Sequence, residues 1–349
     1  MITFRSAIPP DNNQLLTLTN LTPMQGSISI CIQREPDFFA LLNKRGQPHV
    51  IVAEIEGMIA GSVSIVKEEM ILMEQPVTFY YLCDLKVHPE HRNKKVATML
   101  THEMNKYLHA QNADWLLTIV ADGNNRVMPL IKGKAGIIND HSESTFIILQ
   151  LFAKKNKRKE NYNISNRGSE TTVIEMYKEF YSRYVLHPVV SSAILKSCTH
   201  IVAYKNDKPI AAISLYDPIE IKQNVVTGMP WYLEISIWCM RILKSLLSLP
   251  SLPHKGQPIK ILYVKAFSFL PGHEDAFISL IQHARSVAYQ KNYTFLSLTI
   301  HEKDHLKKHL KKLPGFAFKS KGMICSLKNN ISALNKIKSG NVLEDFSIV

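Results

Sequence analysis

Two stretches of the chain run through the same succession of elements, and this repeat limits the fold more than any other feature. Residues 49–65 (HVIVAEIEGMIAGSVSI) and 200–215 (HIVAYKNDKPIAAISL) each read as an apolar strand, a charged or glycine-containing turn and a second apolar strand. A further strand follows in both halves, at 79–87 and 259–267, then a helix at 96–108 and 274–289. Strands at 115–120 and 295–300 come next, and 316–327 reads as a final hairpin. A chain of 349 residues holds two domains of about 150 to 170 residues, each large enough to bury its own core. The expected division is 1–153, a basic linker at 154–169, a second domain at 170–328 and a polar, flexible tail at 329–349.

Composition narrows the setting. Apolar residues make up 46% and charged residues 20%, so disorder is not the default. Cys31, Cys83, Cys198, Cys239 and Cys325 are scattered, odd in number and free of any CxxC pair, which points away from a zinc site or a disulfide framework and toward a reducing cytosol. The first residues lack the apolar core of a signal peptide, and no stretch approaches the roughly 18 uncharged apolar residues of a spanning helix. Residues 231–249 come nearest but include Glu234, Arg241 and Lys244, so they read as an amphipathic segment packed on a domain, with the surface of a membrane as the alternative. A net charge of +13 and a pI near 9.4 suit nucleic acid, anionic lipid or a polyanionic cofactor without choosing among them. Six of the basic residues lie between Lys154 and Arg167 beside one acid, in a polar run that reads as exposed linker.

The chemistry concentrates at residues 79–108. An apolar strand ends at Val87, Pro89 breaks the ladder, and a helix with apolar residues at helical spacing begins at Val96. Its first amides point outward unpaired at the positive end of the helix dipole, beside Arg92, Lys94 and Lys95, which suits a pyrophosphate. The run Leu85-Lys86-Val87-His88-Pro89, followed by Arg92, Val96 and Ala97, resembles the acetyl-CoA motif of the GNAT acetyltransferase superfamily. Lys95 and Asn93 depart from it, standing where the family usually or often has glycine; a lysine there either turns its side chain away from the ligand or blocks it. With the hairpin before it, and the strand at 115–120 and Asp122-Gly123-Asn124-Asn125 after it, the chain resembles a bacterial-type tandem GNAT protein over residues 1–328. The phrase Arg34-Glu35-Pro36-Asp37-Phe38-Phe39 adds to that likeness.

The resemblance implies an α/β (α+β) fold of two GNAT-like domains, each a mixed, mostly antiparallel sheet flanked by helices. It implies acetyl-CoA as co-substrate, held by Leu85, Lys86, Val87, Arg92, Asn93, Lys94, Lys95, Val96, Ala97 and Thr98, with Asn124 or Asn125 on the pantetheine arm. The thioester would lie in a splay between the strands at 79–87 and 115–120, attacked directly by a primary amine of a small molecule or peptide. Asp84 is the candidate base, since a lysine-like amine with a pKa of about 10.4 must first lose its proton; equally, Asp84 pairs with Lys86, His91 or another cation. Cys83 stands where many relatives carry Glu, and 130–134 lacks the tyrosine that many relatives use to protonate the thiolate. The second half has Glu274 and Asp275 at the equivalent helix start, which would repel a pyrophosphate, so it reads as a degenerate partner.

Other constellations point elsewhere. His301, His305 and His309 lie among five lysines between 303 and 312, so no metal is expected there. Tyr80, Tyr81, Trp231 and Tyr232 could line an acceptor pocket or belong to the core, and Asp217, Lys222 and Gln223 could face an interdomain cleft. The competing functions are an acetyl-CoA-binding sensor without catalysis and, less favoured, a basic nucleic-acid-associated protein.

Overall fold

A computed structural model describes residues 1–24, 28–124, 141–155, 162–166, 168–242, 250 and 252–349. The first half runs β1 (Ile2–Ser6), α1 (Asn12–Leu21), β2 (Ser29–Gln33), α2 (Phe38–Arg45), β3 (Gln47–Ile55), β4 (Met58–Leu72), β5 (Gln75–Val87), α3 (Val96–Ala110), β6 (Trp115–Ala121) and β7 (His141–Phe152). The second runs β8 (Asn163–Ser165), α4 (Glu170–Tyr181), β9 (Leu186–Pro188), α5 (Ser192–Leu195), β10 (Thr199–Lys205), β11 (Lys208–Tyr216), β12 (Gln223–Gly228) and α6 (Trp231–Ile242). It continues through β13 (Pro258–Ile259), β14 (Ile261–Phe269), α7 (Glu274–Gln290), β15 (Phe295–His301), α8 (Lys307–Leu310), β16 (Gly315–Ser326) and α9 (Ile331–Ser339).

The repeat is structural. In both hairpins a two-residue turn takes the left-handed backbone, with φ of 52° and 78° at Glu56 and Gly57 and of 51° and 58° at Asn206 and Asp207. That geometry matches the twist of paired antiparallel strands. In both halves the next strand pairs in parallel over three residues, Phe79–Tyr81 with Trp115–Leu117 and Ile261–Tyr263 with Phe295–Ser297. Each half is thus a mixed, mostly antiparallel sheet. In the first, α3 covers one face with Val96, Leu100, Met104 and Leu108 at a four-residue spacing, and α1 and α2 cover the other with Leu15, Leu18, Phe38 and Leu42.

The halves merge through an exchange of strands that their sequences do not announce. Residues 316–327, expected as a hairpin, belong mainly to one strand, β16, which lies between β6 and β7; β7 in turn pairs with β15 of the second half. The result is one 13-stranded sheet in the order β1-β3-β4-β5-β6-β16-β7-β15-β14-β11-β10-β8, with β9 on β4. Gly322 permits the insertion: a Cβ there would stand 2.6 Å from the Phe146 ring of β7. Within the stretch read as exposed linker, Asn163–Ser165 pair with β10 as an edge strand.

The segment after 328 is not a loose tail. Helix α9 buries Ala333, Leu334 and Ile337, and Val342, Leu343, Glu344 and Ser347 are buried beyond it. Asp345 pairs with Lys265, and Phe346 accepts a hydrogen bond from Lys222 Nζ at 2.8 Å. Residues 343–347 sit against β14 and β15 where those strands separate, leaving a cavity of only about 30 Å³.

Candidate active site

Strand β5 carries the site because its regular pairing fails on both edges. Asp84 takes the left-handed backbone, with φ of 52°, and the ladder to β4 shifts register between Ser62 and Ser64. Such a bulge bends the strand and re-aims its side chains. On the other edge the pairing with β6 stops at Tyr81 and Leu117, and the Thr118 hydroxyl donates to the Leu82 carbonyl at 2.9 Å. Beyond that bond the strands diverge, and the expected splay opens into a cavity of about 890 Å³.

At the outer end of β5, Pro89–His91 form a single 3-10 turn and α3 begins at Val96. Among the described residues, the amides of residues 93–98 have no backbone acceptor; the first bond of the helix comes from Met99 to the Lys95 carbonyl, at 3.0 Å. Gly61 brings this helix start close to the sheet, since a Cβ there would stand 2.8 Å from the Lys86 carbonyl and 3.1 Å from Val96 Cγ1. Asn93 and Lys95, the two departures from the motif, take φ of 66° and 60°, the left-handed region that glycine favours. The non-glycine residues therefore keep the turn's geometry at the cost of strain, and the Lys95 side chain is exposed. Lys95→Gly is expected to raise unfolding free energy by about 0.5–1 kcal/mol, read from denaturant midpoints; a lower midpoint would show that the lysine is not strained there.

Leu85, Lys86, Val87, Arg92, Asn93, Lys95, Val96, Ala97 and Asn124 all line the 890 Å³ cavity. Lys94 and Thr98 do not: both are exposed, and Lys94 Nζ lies 3.3 Å from His91 Nδ1. Asn125 and the tyrosine-free stretch at 130–134 lie outside the described residues. His88 receives the Glu90 amide on Nδ1 at 3.4 Å and so shapes the turn.

Asp84 is buried and ion-paired. Its Oδ2 is 2.7 Å from Arg34 Nη2, a contact without hydrogen-bond alignment, and its Oδ1 is 3.5 Å from Lys86 Nζ. Burial raises the carboxyl pKa, but the Arg34 and Lys86 charges outweigh it and hold it below the ordinary value. Burial likewise lowers Lys86, an effect that Asp84 offsets only in part. Of the two open readings of Asp84, the pairing with Lys86 is what the geometry displays, with Arg34 as a partner that sequence reasoning missed. Arg34 Nε and Nη1 are buried without hydrogen-bond partners, and the guanidinium lies 5.0 Å from the Phe38 ring centroid. Cys83 is no substitute base, since burial drives its thiol far above the ordinary value.

The remaining candidates are structural or lie elsewhere. Tyr80 and Tyr81 are core residues, and Trp231 and Tyr232 are exposed on α6. Lys222 is buried, while Gln223 joins the halves, donating to the Glu35 carbonyl and accepting from its amide, both at 3.1 Å. Asp217 accepts from the Tyr293 hydroxyl at 2.6 Å. Ile348 and Val349, from the segment expected to be a tail, line the large cavity as well.

In the second half, α7 begins with Glu274 and Asp275 as expected, and Tyr162 donates to Asp275. Residues 18–136 match the model of the acetyltransferase (GNAT) family. A search of curated proteins by sequence returns no match. Among solved structures, N-myristoyltransferase of Saccharomyces cerevisiae with bound myristoyl-CoA is similar at a TM-score of 0.63 and 11% identity, over 93% of this chain and 78% of that one. A GCN5-related N-acetyltransferase of Anabaena variabilis gives 0.51 and 10%, over 93% and 72%. A probable N-acyltransferase of Enterococcus faecalis gives 0.52 and 9%, over 93% and 72%.

Proposed function

Because residues 18–136 match the model of the acetyltransferase (GNAT) family, we propose that the chain transfers an acyl group, acetyl in the first instance, from coenzyme A to a primary amine. The observation that carries this reading is the continuity of the splay beyond Tyr81 and Leu117 with Asn93 and Lys95, Val96 and Ala97, whose amides have no backbone acceptor, in one cavity wall. Pyrophosphate is the ligand for the amides and for Arg92, whose charge adds to the helix dipole. The pantetheine arm then follows the edge of β5, as a missing strand would, and reaches Asn124. Myristoyl-CoA bound to the yeast enzyme of the same fold supports an acyl-CoA in this position.

In the reaction the neutral amine attacks the thioester carbonyl, the C–N bond forms, the C–S bond breaks and the coenzyme leaves as thiolate. Holding amine and thioester together supplies much of the rate. Asp84 is the one side-chain carboxylate on the described cavity wall, so it is the candidate to take the amine's proton through water. The second half acts as a scaffold: its equivalent strands face residues 343–347, and its helix start is acidic.

Calorimetric titration with acetyl-CoA tests the binding half of this reading. Saturable binding is expected, weakened about tenfold or more in Arg92→Ala, the loss of one hydrogen bond to a charged group. A flat trace for the unaltered protein would reject both catalyst and sensor. Release of free thiol with a panel of amines then separates the two, because a sensor binds without releasing it.

A further inference from the structure

Helix α6 presents a stripe of large apolar side chains that the reaction does not use. Trp231 is 72% exposed, Ile235 52%, Trp238 59% and Ile242 60%, at positions that fall on one helix face, with Tyr232 at 54% beside them. No residue of this helix is buried. The sequence suggested an amphipathic segment packed on a domain; the structure instead turns the apolar stripe outward. An apolar patch of this kind marks an interaction site.

We propose that α6 is a docking helix that lies flat on an anionic lipid bilayer, with Trp231, Ile235, Trp238 and Ile242 in the headgroup–acyl boundary. Three observations select this occupant. Tryptophan and tyrosine favour that boundary, where an apolar ring and a polar N–H or O–H are both satisfied. Between Pro230 and Lys260 the only acid is Glu234, against Arg241, Lys244, Lys255 and Lys260, and Glu234 already lies 3.3 Å from Lys255. With a chain charge of +13, this attracts anionic headgroups. A second copy would bring the same positive segment against itself. Finally, among the described residues no helix is long and apolar enough to cross a membrane, so α6 rests on the surface and does not span it.

The full chain is sedimented with vesicles of phosphatidylcholine alone and with vesicles that also contain phosphatidylglycerol. Binding to the anionic vesicles is expected, weaker on the neutral ones and reduced by salt. Tryptophan emission should shift to the blue on binding; Trp115, the third tryptophan, is 5% exposed and already buried. Trp231→Glu with Trp238→Glu should weaken sedimentation about tenfold or more while leaving circular dichroism unchanged, because both side chains stand free of the core. Met58→Glu, an equally exposed apolar position far along the chain, should leave it intact. No sedimentation with anionic vesicles would overturn the proposal. Undiminished sedimentation of the double variant would also overturn it, by assigning the attraction to the chain's general charge. So would a dimer in solution that the double variant dissolves without any vesicle binding.

Discussion

Replacing Arg45 with alanine is expected to lower the unfolding free energy by about 3–5 kcal/mol, the loss typical when one partner of a buried ion pair is removed. The guanidinium ends α2, where its charge also meets the negative end of the helix dipole. Its side chain is 2% exposed, with Nη2 2.7 Å from Glu68 of β4 and 2.9 Å from Glu344 of the C-terminal segment. It lies 3.5 Å above the Tyr81 ring. Alanine would leave two carboxylates buried together with no cation between them. Even with Arg45 present, burial lifts Glu344 to about 7 from an ordinary 4.5, and burial raises Glu68 too. A carboxyl whose pKa rises on folding contributes stability in full below its unfolded pKa and loses it as pH climbs to the folded one. The unaltered protein should therefore lose about 3 kcal/mol between pH 4.5 and 7 from this group. Urea unfolding across that range is the measurement. Glu344→Gln should flatten the slope, and Arg45→Ala should be most damaging above pH 7. A slope that survives Glu344→Gln would assign it to other groups.

Local features of the fold were legible in the sequence, and pairings between distant segments were not. The strand–turn–helix at β5 and α3 can be read because apolar spacing and Pro89 act within a few residues. Lys95 and Asn93 depart from the motif as residue types, yet their backbone takes the left-handed conformation that glycine favours. The exchange of β16 and β7 had no such signal. An apolar strand fits any open slot in a sheet, and which slot it takes depends on segments far along the chain. Residues 330–337 carry a short-range helix signal. Asn330 caps α9 by accepting from the Ala333 amide at 3.2 Å, and Ala333, Leu334 and Ile337 form its buried face. Arg34 and its partner Asp84 are 50 residues apart, so their pairing has no local signal in the sequence.

The two halves differ at their equivalent helix starts and strand bulges, for reasons that combine both kinds of information. Glu274 and Asp275 at the start of α7 could be read directly, and they occupy the positive helix end. The second obstacle, residues 343–347 against β14 and β15, arises from the folded chain alone. Lys265, within a register shift of the β11–β14 ladder comparable to that at Asp84, is committed to Asp345. One bulge thus faces an open cavity and the other faces the chain's own carboxylate.

The Arg34–Asp84 pair carries the other large expected effect, and it decides what Asp84 does. Arg34→Ala should cost about 3–5 kcal/mol, because Asp84 would be left buried with Lys86 at 3.5 Å as its one remaining cation. The carboxyl, now held below its ordinary 3.8, would rise in the variant. A group depressed on folding contributes stability above its unfolded pKa and loses it as pH falls through the folded value. The unaltered protein should therefore weaken below pH 3.8 by a share that is absent from Asp84→Asn. For catalysis the two roles diverge. If Asp84 takes the amine's proton, Asp84→Asn abolishes thiol release while acetyl-CoA titrates normally, and Arg34→Ala, which makes the carboxylate more basic, spares or raises the rate of the folded fraction. If Asp84 instead fixes Arg34 and Lys86, both variants lose coenzyme affinity together, and combining them costs less than the sum of the two. Normal thiol release in Asp84→Asn would remove it from the proton path and leave the ion pair as its whole contribution.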